Sequence, residues 1–495
     1  MSSTQSLAHP SEVESVNDVV VIDGNLTWTR AGSSEKVDRD EILFILEAPK
    51  TDVPDHEFFI CCLKEAPEDE HNPHRLSLFR TTSIPADALQ EHIVRELPPH
   101  LRHGAGNEVD VIVSTKSGMG SAVRVWEDVL QPLWQFIATH TGEHRAPKTD
   151  SHQAETNGPH YRLIVTENAE TIRSFSKSLW TSNVQTSGSR TIVLLSGDGG
   201  VVDLLNGSDK DSSPAALPLM ALLPLGTGNA LFHSMHKPLY LNPGPTPLVH
   251  GLRTLFQGTP YDLPAFRASF SPGSRIVIFA DNVNASSESD VDAQVSREET
   301  SVSHLNGAIV ASYGFHASIV YESDTPEYRV HGQKRFGMVA QELLKESHPY
   351  TAEVAIRRPG SSGFETIPRD AHAYVLTTLV SNLERAFTIS PASKPLQETL
   401  RLVHFGPVGG ERTMEVMMKA YDEGKHVDIE WEDGERVGYE EVDEVKVVIL
   451  EKDERWRKVC IDGTIVEIPS GGQMSVKILK GGLFKVLASS TLLLE

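Results

Sequence analysis

Up to about residue 80 the chain is patterned in short apolar or alternating runs. Val19 to Ile22, Leu26 with Trp28, Ile42 to Leu46, Phe58 to Leu63 and Leu76 to Phe79 are separated by Gly, Pro, Asn and Asp, the punctuation of strands and turns. A helix is predicted next. Pro85 stands at its start, Leu89, Ile93 and Leu97 share one face, and Pro98-Pro99 ends it. From residue 107 the period changes. Val109 to Val113, Arg162 to Thr166, Thr191 to Leu195 and Leu219 to Leu223 read as strands. A helix on Ala122, Trp126, Val129, Leu130, Leu133 and Ile137 and a polar helix around residues 169 to 180 fall between them. Strands alternating with helices imply parallel pairing. Beyond Tyr261 the helical spacing mostly disappears. Arg275 to Ala280, Gly307 to Tyr321, Ala352 to Arg357, Tyr374 to Val380, Leu400 to Phe405, Lys446 to Leu450, Lys458 to Ile468 and Met474 to Leu479 read as strands. Two polar stretches, Asp281 to Ser303 and Asp422 to Glu444, read as solvated loops.

These elements predict an α/β plus β architecture in three parts. Residues 1–105 form an accessory β-rich domain; residues 106–258 form an α/β lobe; residues 259–495 form a β-sandwich lobe. A small barrel closed by a C-terminal helix is the pleckstrin-homology-like plan, and an unrelated all-β accessory domain fits the N-terminal pattern equally well.

Composition narrows the function. With 495 residues, 39% hydrophobic and 23% charged, the chain is globular and long enough for several cores. The 45 Lys+Arg against 68 Asp+Glu give a net charge of -23, which argues against bulk binding to nucleic acid or to anionic membrane. Three cysteines, with Cys61 and Cys62 adjacent, make neither a disulfide framework nor a zinc pattern. The histidines show no metal spacing. No secretory leader and no run of about 18 apolar residues is read, so the expectation is a cytoplasmic protein that visits a membrane peripherally. The oligomeric state stays open.

The chemistry lies at the ends of the α/β strands. The third strand enters Ser196-Gly197-Asp198-Gly199-Gly200, and a helix follows. Glycines let backbone N–H groups approach a ligand, and the helix start favours an anion. Asp198 alone would repel phosphate, so it makes sense with a metal ion or as a base facing a hydroxyl. The fourth strand enters Pro224-Leu225-Gly226-Thr227-Gly228-Asn229-Ala230, and the first strand enters Thr115-Lys116-Ser117-Gly118-Met119-Gly120. Each turn alone is a weak signal; three at one sheet edge, with the Asp, predict a nucleotide site.

At these residues the sequence resembles the diacylglycerol kinase catalytic domain family. Ser-Gly-Asp-Gly at 196–199 and Pro-Leu-Gly-Thr-Gly-Asn-Ala-Leu at 224–231 look like its paired motifs, and Lys116 to Gly120 looks like its opening motif. The Ser before Gly-Asp-Gly is similar to the sphingosine (long-chain base) kinase branch. So are Gly314-Phe315, Glu322-Ser323-Asp324 and the stretch Tyr328-Arg329 to Arg335-Phe336, and Asp462-Gly463 resembles the family's Asp-Gly-Glu strand.

The resemblance implies an ATP-dependent lipid kinase using Mg²⁺, with a sphingoid base as acceptor; diacylglycerol or ceramide kinases and a weakly active, nucleotide- and lipid-binding homologue are the alternatives. Asp198 would orient or deprotonate the lipid hydroxyl, with Asp462 a second carboxylate nearby. Gly197, Gly199, Gly200, Gly226, Thr227, Gly228 and Asn229 would hold the nucleotide, Ser117 and Gly118 its phosphates, and Thr166 the adenosine side. Arg329 and Arg335 would bind phosphate. No metal ligand set is implied. Departures from the pattern fall at Ser114 and Thr115, at Gly200, and at Thr464 where Glu is expected. The carboxylate that sphingosine kinases direct at the base falls on Val320. Glu322 or Asp324 would replace it, since in a strand Val320, Glu322 and Asp324 share one face. A Walker-type NTPase lacks its Gly-Lys-Ser/Thr here. A dinucleotide dehydrogenase lacks its fingerprint on the first turn.

Overall fold

A computed structural model describes residues 13–30, 33–49, 56–104, 106–141, 161–168, 170–181, 188–207, 216–279, 297–332 and 334–493. In the N-terminal part, a five-stranded sheet runs in the order Glu14–Ser15, His74–Thr81, His56–Glu65, Ile42–Pro49, Ile93–Val94. A three-stranded sheet joins Val20–Ile22, Asn25–Arg30 and Ser33–Val37. The predicted helical face is cut short. The helix spans Ala86–His92 only, and β-branched Ile93-Val94 leaves it to pair parallel with Ile45-Leu46 at the sheet edge. This unit does not stand apart. Leu43, Phe44, Leu46, Phe59 and Leu78 share one buried cluster with Val109, Trp134, Phe136, Leu252 and Phe256 of the following lobe. Edge-on ring contacts, Phe44 with Phe256 at 5.0 Å and Phe59 with Phe136 at 5.2 Å, fasten the two.

The α/β lobe forms as its pattern predicts. Strands β1 (Asn107–Val113), β2 (Arg162–Val165), β3 (Ser189–Ser196) and β4 (Leu219–Pro224) pair in parallel in the order β2-β1-β3-β4. Helices α1 (Asp198–Leu205), α2 (Ala230–His236) and α3 (Pro247–Gln257) follow β3 and β4. Register decides what matters for function. Val165, Val113, Leu195 and Leu223 stand level across the sheet, so four chain segments leave the same edge side by side. The sheet is completed from beyond residue 258: Lys485–Ala488 pairs parallel with β4, and Thr259–Asp262 pairs antiparallel with Lys485–Ala488.

The C-terminal part holds a seven-stranded and an eight-stranded sheet whose buried residues, such as Phe266, Tyr313, Tyr374, Val447 and Val476, belong to one cluster. Helices interrupt the strands more than the sequence predicted. Gly307 to Tyr321 is not one strand. His304–Gly307 and Val310–Gly314 are short strands, and Gly314, at φ 90, turns the chain into helix α4 (Phe315–Ser323). A Cβ at Gly314 would lie 2.7 Å from Ala373 O, so no other residue fits this corner. Further helices span Pro326–Arg329, Lys334–Glu346 and Gly410–Tyr421. The polar stretch 422–444 is also no free loop. His426 is fully buried, Glu430 bridges to Arg436, and Gly438–Val442 pairs with Leu400–Phe405. Of the other polar stretch, residues 280–296 lie outside the described residues, while Arg297–Ser301 pairs with Arg275–Phe279.

Candidate functional site

The four level strand ends carry the site. Ser114 N donates to Leu195 O at 3.0 Å, Thr166 N to Val113 O at 2.9 Å, and Leu225 N to Ser196 O at 3.1 Å, so the pairing continues one step past each strand. Beyond that step side chains take over. Thr115 N donates to Thr166 Oγ1 and Thr115 Oγ1 to Thr166 O, both at 3.0 Å. Ser117 Oγ donates to Ser114 Oγ at 2.7 Å and lies 3.0 Å from Ser196 Oγ. Ser114 and Thr115, the departures from the family's opening motif, are therefore the residues that stitch the first turn to its neighbours.

The glycine turns touch backbone to backbone. A Cβ on Gly226 would lie 2.3 Å from Gly197 Cα, one on Gly197 would lie 2.6 Å from Gly226 Cα, and one on Gly118, at φ +54, would lie 2.5 Å from Leu225 O. No side chain fits between them. Asn229 closes the second turn in the left-handed region that Asn tolerates, at φ 52; its Oδ1 accepts from Gly226 N and its Nδ2 donates to Gly226 O, both at 2.9 Å. Gly200 plays a different part. It is buried, and a Cβ there would lie 2.7 Å from Ser196 Oγ, so Gly is needed for helix packing. Gly199 is exposed with open space where a Cβ would go, and Thr227 is exposed as well.

Asp198 begins α1, but its carboxylate reaches across to α2. Oδ2 accepts from Ala230 N at 2.7 Å and Oδ1 from Leu231 N at 3.2 Å. These amides favour the charged form. Although the residue keeps some solvent contact, protein surrounds the carboxylate, and desolvation wins: its pKa is raised to about 6. Asp462 sits at the tip of an Asp-Gly hairpin turn, at φ 47 with Gly463 at φ 91, between Lys458–Ile461 and Thr464–Glu467. Its carboxylate accepts from Ala308 N at 2.7 Å, Ile309 N at 3.1 Å and Val310 N at 2.6 Å. Burial raises its pKa to about 7, with the Asp198 charge adding to the shift, which puts both carboxylates in one electrostatic neighbourhood.

The structure arranges the other predicted residues differently from the strand face expected of them. Val320, Glu322 and Asp324 do not share a strand face. Val320 and Glu322 lie on α4, two residues apart and so far around the helix from each other, and Asp324 caps its end. Val320 packs on an apolar cluster of Val277, Phe279, Tyr321, Cys460 and Ile465. Glu322 accepts from Arg455 Nε at 2.8 Å. Asp324 is shared by Arg329, at 2.8 Å, and Arg335, at 3.8 Å. The two arginines are thus gathered around Asp324, and Arg329 also donates to Phe279 O at 3.4 Å.

Several site contributors left no trace in the sequence because they act through backbone. The amides of Ala230, Leu231, Ala308, Ile309 and Val310 are of this kind. So is the loop following Tyr374–Thr378, where Leu383 O would lie 3.4 Å from a Cβ at Gly228 and Asn382 exchanges hydrogen bonds with Ser234 Oγ of α2 at 2.9 and 3.0 Å. At the far end of α1, Asn206 and Asn306 pair reciprocally at 2.8 Å, joining the lobes on the helix that carries Asp198.

Residues 108–250, which hold all three turns, match the family model of the diacylglycerol kinase catalytic domain. A comparison with curated proteins finds no match. Among solved structures, a diacylglycerol kinase from Bacillus anthracis str. Sterne is similar at 12% identity and a TM-score of 0.45, covering 79% of this chain and 99% of its own. Two further proteins of that organism assigned to the same type show 13% identity, TM-score 0.47 and coverage of 79% and 97%, and 14%, 0.46, 78% and 99%. Likenesses this distant carry no inference about chemistry.

Proposed function

We propose that the chain is an ATP-dependent lipid kinase that passes a phosphoryl group to a lipid hydroxyl, with a sphingoid long-chain base as the acceptor to test first. The observation that carries this reading is the backbone contact of three glycine turns around Asp198, within the segment that matches a diacylglycerol kinase catalytic domain. In this proposal residues 1–105 are an accessory domain, 106–258 the nucleotide lobe and 259–495 the lipid lobe. No helix of the described residues is long and apolar enough to cross a membrane; in this proposal the substrate is taken from a membrane surface by peripheral contact.

The turns suit a polyphosphate because nothing but backbone lines their contact, and the first amides of α1 point where an anion is favoured. Exposed Gly199 and Thr227 offer the approach. Among the described residues no group of three or more His, Cys, Asp or Glu side chains is placed to hold a metal ion. Mg²⁺ would therefore come on the nucleotide, with Asp198 the carboxylate at the turns, and would neutralise charge on the transferring phosphoryl group. With its pKa near 6, Asp198 is ionised at neutral pH yet basic enough to take the proton of the acceptor hydroxyl as the O–P bond forms. The amides of Ala230 and Leu231 hold it in orientation. Asp462, occupied by three amides, is a positioning residue that fixes Ala308–Val310 beside it.

A second reading, a neutral acceptor such as diacylglycerol or ceramide, is favoured by one observation. Glu322 and Asp324 are already matched by arginines, and Val320 lies on an apolar cluster. An ammonium buried beside Val320 would go unpaired, which is costly. Purified protein with labelled ATP, offered sphingosine, diacylglycerol and ceramide and resolved by chromatography, tests both readings. Transfer to one lipid class identifies the acceptor. ATP binding without transfer to any of them would overturn the kinase reading in favour of a nucleotide-binding homologue.

A further inference from the structure

The helix Gly410–Tyr421 carries more apolar surface than the protein covers. Thr413, Val416 and Ala420 are buried, and Met417 packs on the large cluster of the C-terminal part. Met414, Met418 and Tyr421, at i, i+4 and i+7, form a second apolar face beside the first and are 38%, 59% and 48% exposed. A single exposed apolar side chain is ordinary; three in line on one helix make a surface. The loop 383–387 extends it. Phe387 stands edge-on to Tyr421 at 4.9 Å, and Thr388 N donates to Ala420 O at 3.0 Å, which fastens the loop to the helix. At its other end the loop reaches the glycine turns, where Leu383 O lies against Gly228.

Charge and size decide what covers this face. From Gly410 to Lys425 three basic side chains stand against four acidic ones. Lys419 pairs with Glu415 at 3.8 Å and Lys425 with Asp422 at 2.9 Å, so the surroundings are nearly neutral. On the loop, Glu384 lies 3.5 Å from Tyr421 OH, and Arg385 is exposed over the Tyr240 ring at 4.9 Å. Among the described residues no carboxylate pairs with the Arg385 guanidinium. An anionic surface would be repelled by the chain's net charge of -23. A second copy would bring the same charge. Three side chains and a loop also fall short of the roughly 800 Å² per partner that a stable protein interface buries. A zwitterionic phospholipid surface meets neither obstacle. Acyl chains accommodate the flexible Met side chains, Tyr421 keeps its hydroxyl at headgroup level, and a lipid phosphate takes the unpaired guanidinium.

We propose that this helix face, with the loop 383–387, seats the protein on a zwitterionic phospholipid membrane and sets the second glycine turn beside its surface. The purpose of the contact, delivery of a membrane-held acceptor to Asp198, rests on the lipid kinase reading; the contact itself requires no turnover.

The test is flotation of the full chain with phosphatidylcholine vesicles in the absence of ATP. Wild type is expected to float. The double variant Met414→Glu, Met418→Glu should bind at least about tenfold more weakly, because it sets two charges where apolar surface would be buried. Arg385→Ala should lower the bound fraction as well, since the lipid phosphate loses its partner. Both Met side chains are exposed, so the fold should survive, as the melting temperature will check. If the double variant does not fold, a polarity-sensitive dye attached at Met418→Cys decides. Cys61, Cys62 and Cys460 are all buried, so the dye goes to the new thiol, and its emission should shift to the blue when vesicles are added. A chain that floats yet phosphorylates no lipid would remove the kinase reading and support the contact; a chain that transfers phosphate yet does not float would remove the contact alone. The proposal is also overturned by a folded double variant that floats like wild type, by dye emission that stays constant, or by light scattering that shows a dimer which the double variant breaks.

Discussion

Replacing Gly226 by Ala isolates the contact on which the site is built. The added Cβ would stand 2.3 Å from Gly197 Cα, 3.1 Å from Gly197 N and 2.9 Å from Asn229 Oδ1. The first two are backbone atoms, so no rotamer change relieves them. An ordinary contact needs roughly 3.4 Å or more, so the two turns must part by about 1 Å or the turn must deform. A displacement of that size at a positioned phosphate is enough to lower turnover about 10²-fold. Forced overpacking typically costs about 1–3 kcal/mol, which in a protein of this size lowers Tm by a few degrees. Gly199→Ala is the matched control, because its Cβ would meet nothing within 4 Å. It should leave Tm unchanged and raise KM for ATP only, since the nucleotide itself would meet the methyl group. Steady-state kinetics against ATP together with thermal unfolding of both variants decide the matter. A Gly226→Ala protein with wild-type Tm and ATP kinetics would refute the argument that backbone contact between the turns builds the site. A Gly199→Ala protein with a lowered Tm would refute the division between packing glycines and ligand-facing ones.

Other expectations follow from the same geometry. Asp198→Asn should fold and bind ATP while turnover falls about 10²- to 10⁴-fold, read by initial rates; full activity would remove Asp198 from the mechanism. Because Asp198 must be ionised to act and its pKa is raised to about 6, kcat/KM should decline as pH falls below about 6, and a profile flat to pH 5 would contradict this. For stability the sign is opposite. Asp198 and Asp462, raised to about 6 and 7, bind protons more readily folded than unfolded, so their share of stability is greatest at acid pH and is lost as pH rises from about 4 to 7. Asp462→Asn should flatten that slope in denaturant titrations at several pH values. Val320→Asp should raise sphingosine use relative to diacylglycerol, with a lower Tm because the charge is set on the cluster of Val277, Phe279 and Tyr321; an unchanged lipid ratio would place the acceptor elsewhere. Arg335→Ala should raise KM for ATP, and unchanged nucleotide kinetics would leave Arg335 as a partner of Asp324 alone.

The α/β lobe was legible in the sequence because its signals are local. A buried parallel strand is a continuous apolar run, a tight turn needs glycine, and both are written where they act, so β1, β3, β4 and their turns appear where the pattern put them. Asp198 could be singled out for the same reason, as a charge inside a glycine turn. What it touches could not, because its partners are the amides of Ala230 and Leu231, and an amide has no residue type. The same holds for Asp462 and the amides of residues 308–310. The level register of β3 and β4 brings the first of these groups together, and the pairing of Val310–Gly314 with Lys458–Ile461 the second. Helix α4 was hidden by its composition. Ile319 and Val320 favour a strand, and it is the corner at Gly314, wedged against Ala373, and packing on Lys458–Ile461 that make it helical. That single change of period turns Glu322 away from Val320 and leaves Asp324 between two arginines. Under the proposed function the choice of lipid rests on tertiary pairing of charges, whereas the glycine turns themselves were determined by sequence alone, since no residue but glycine can occupy a backbone-to-backbone contact.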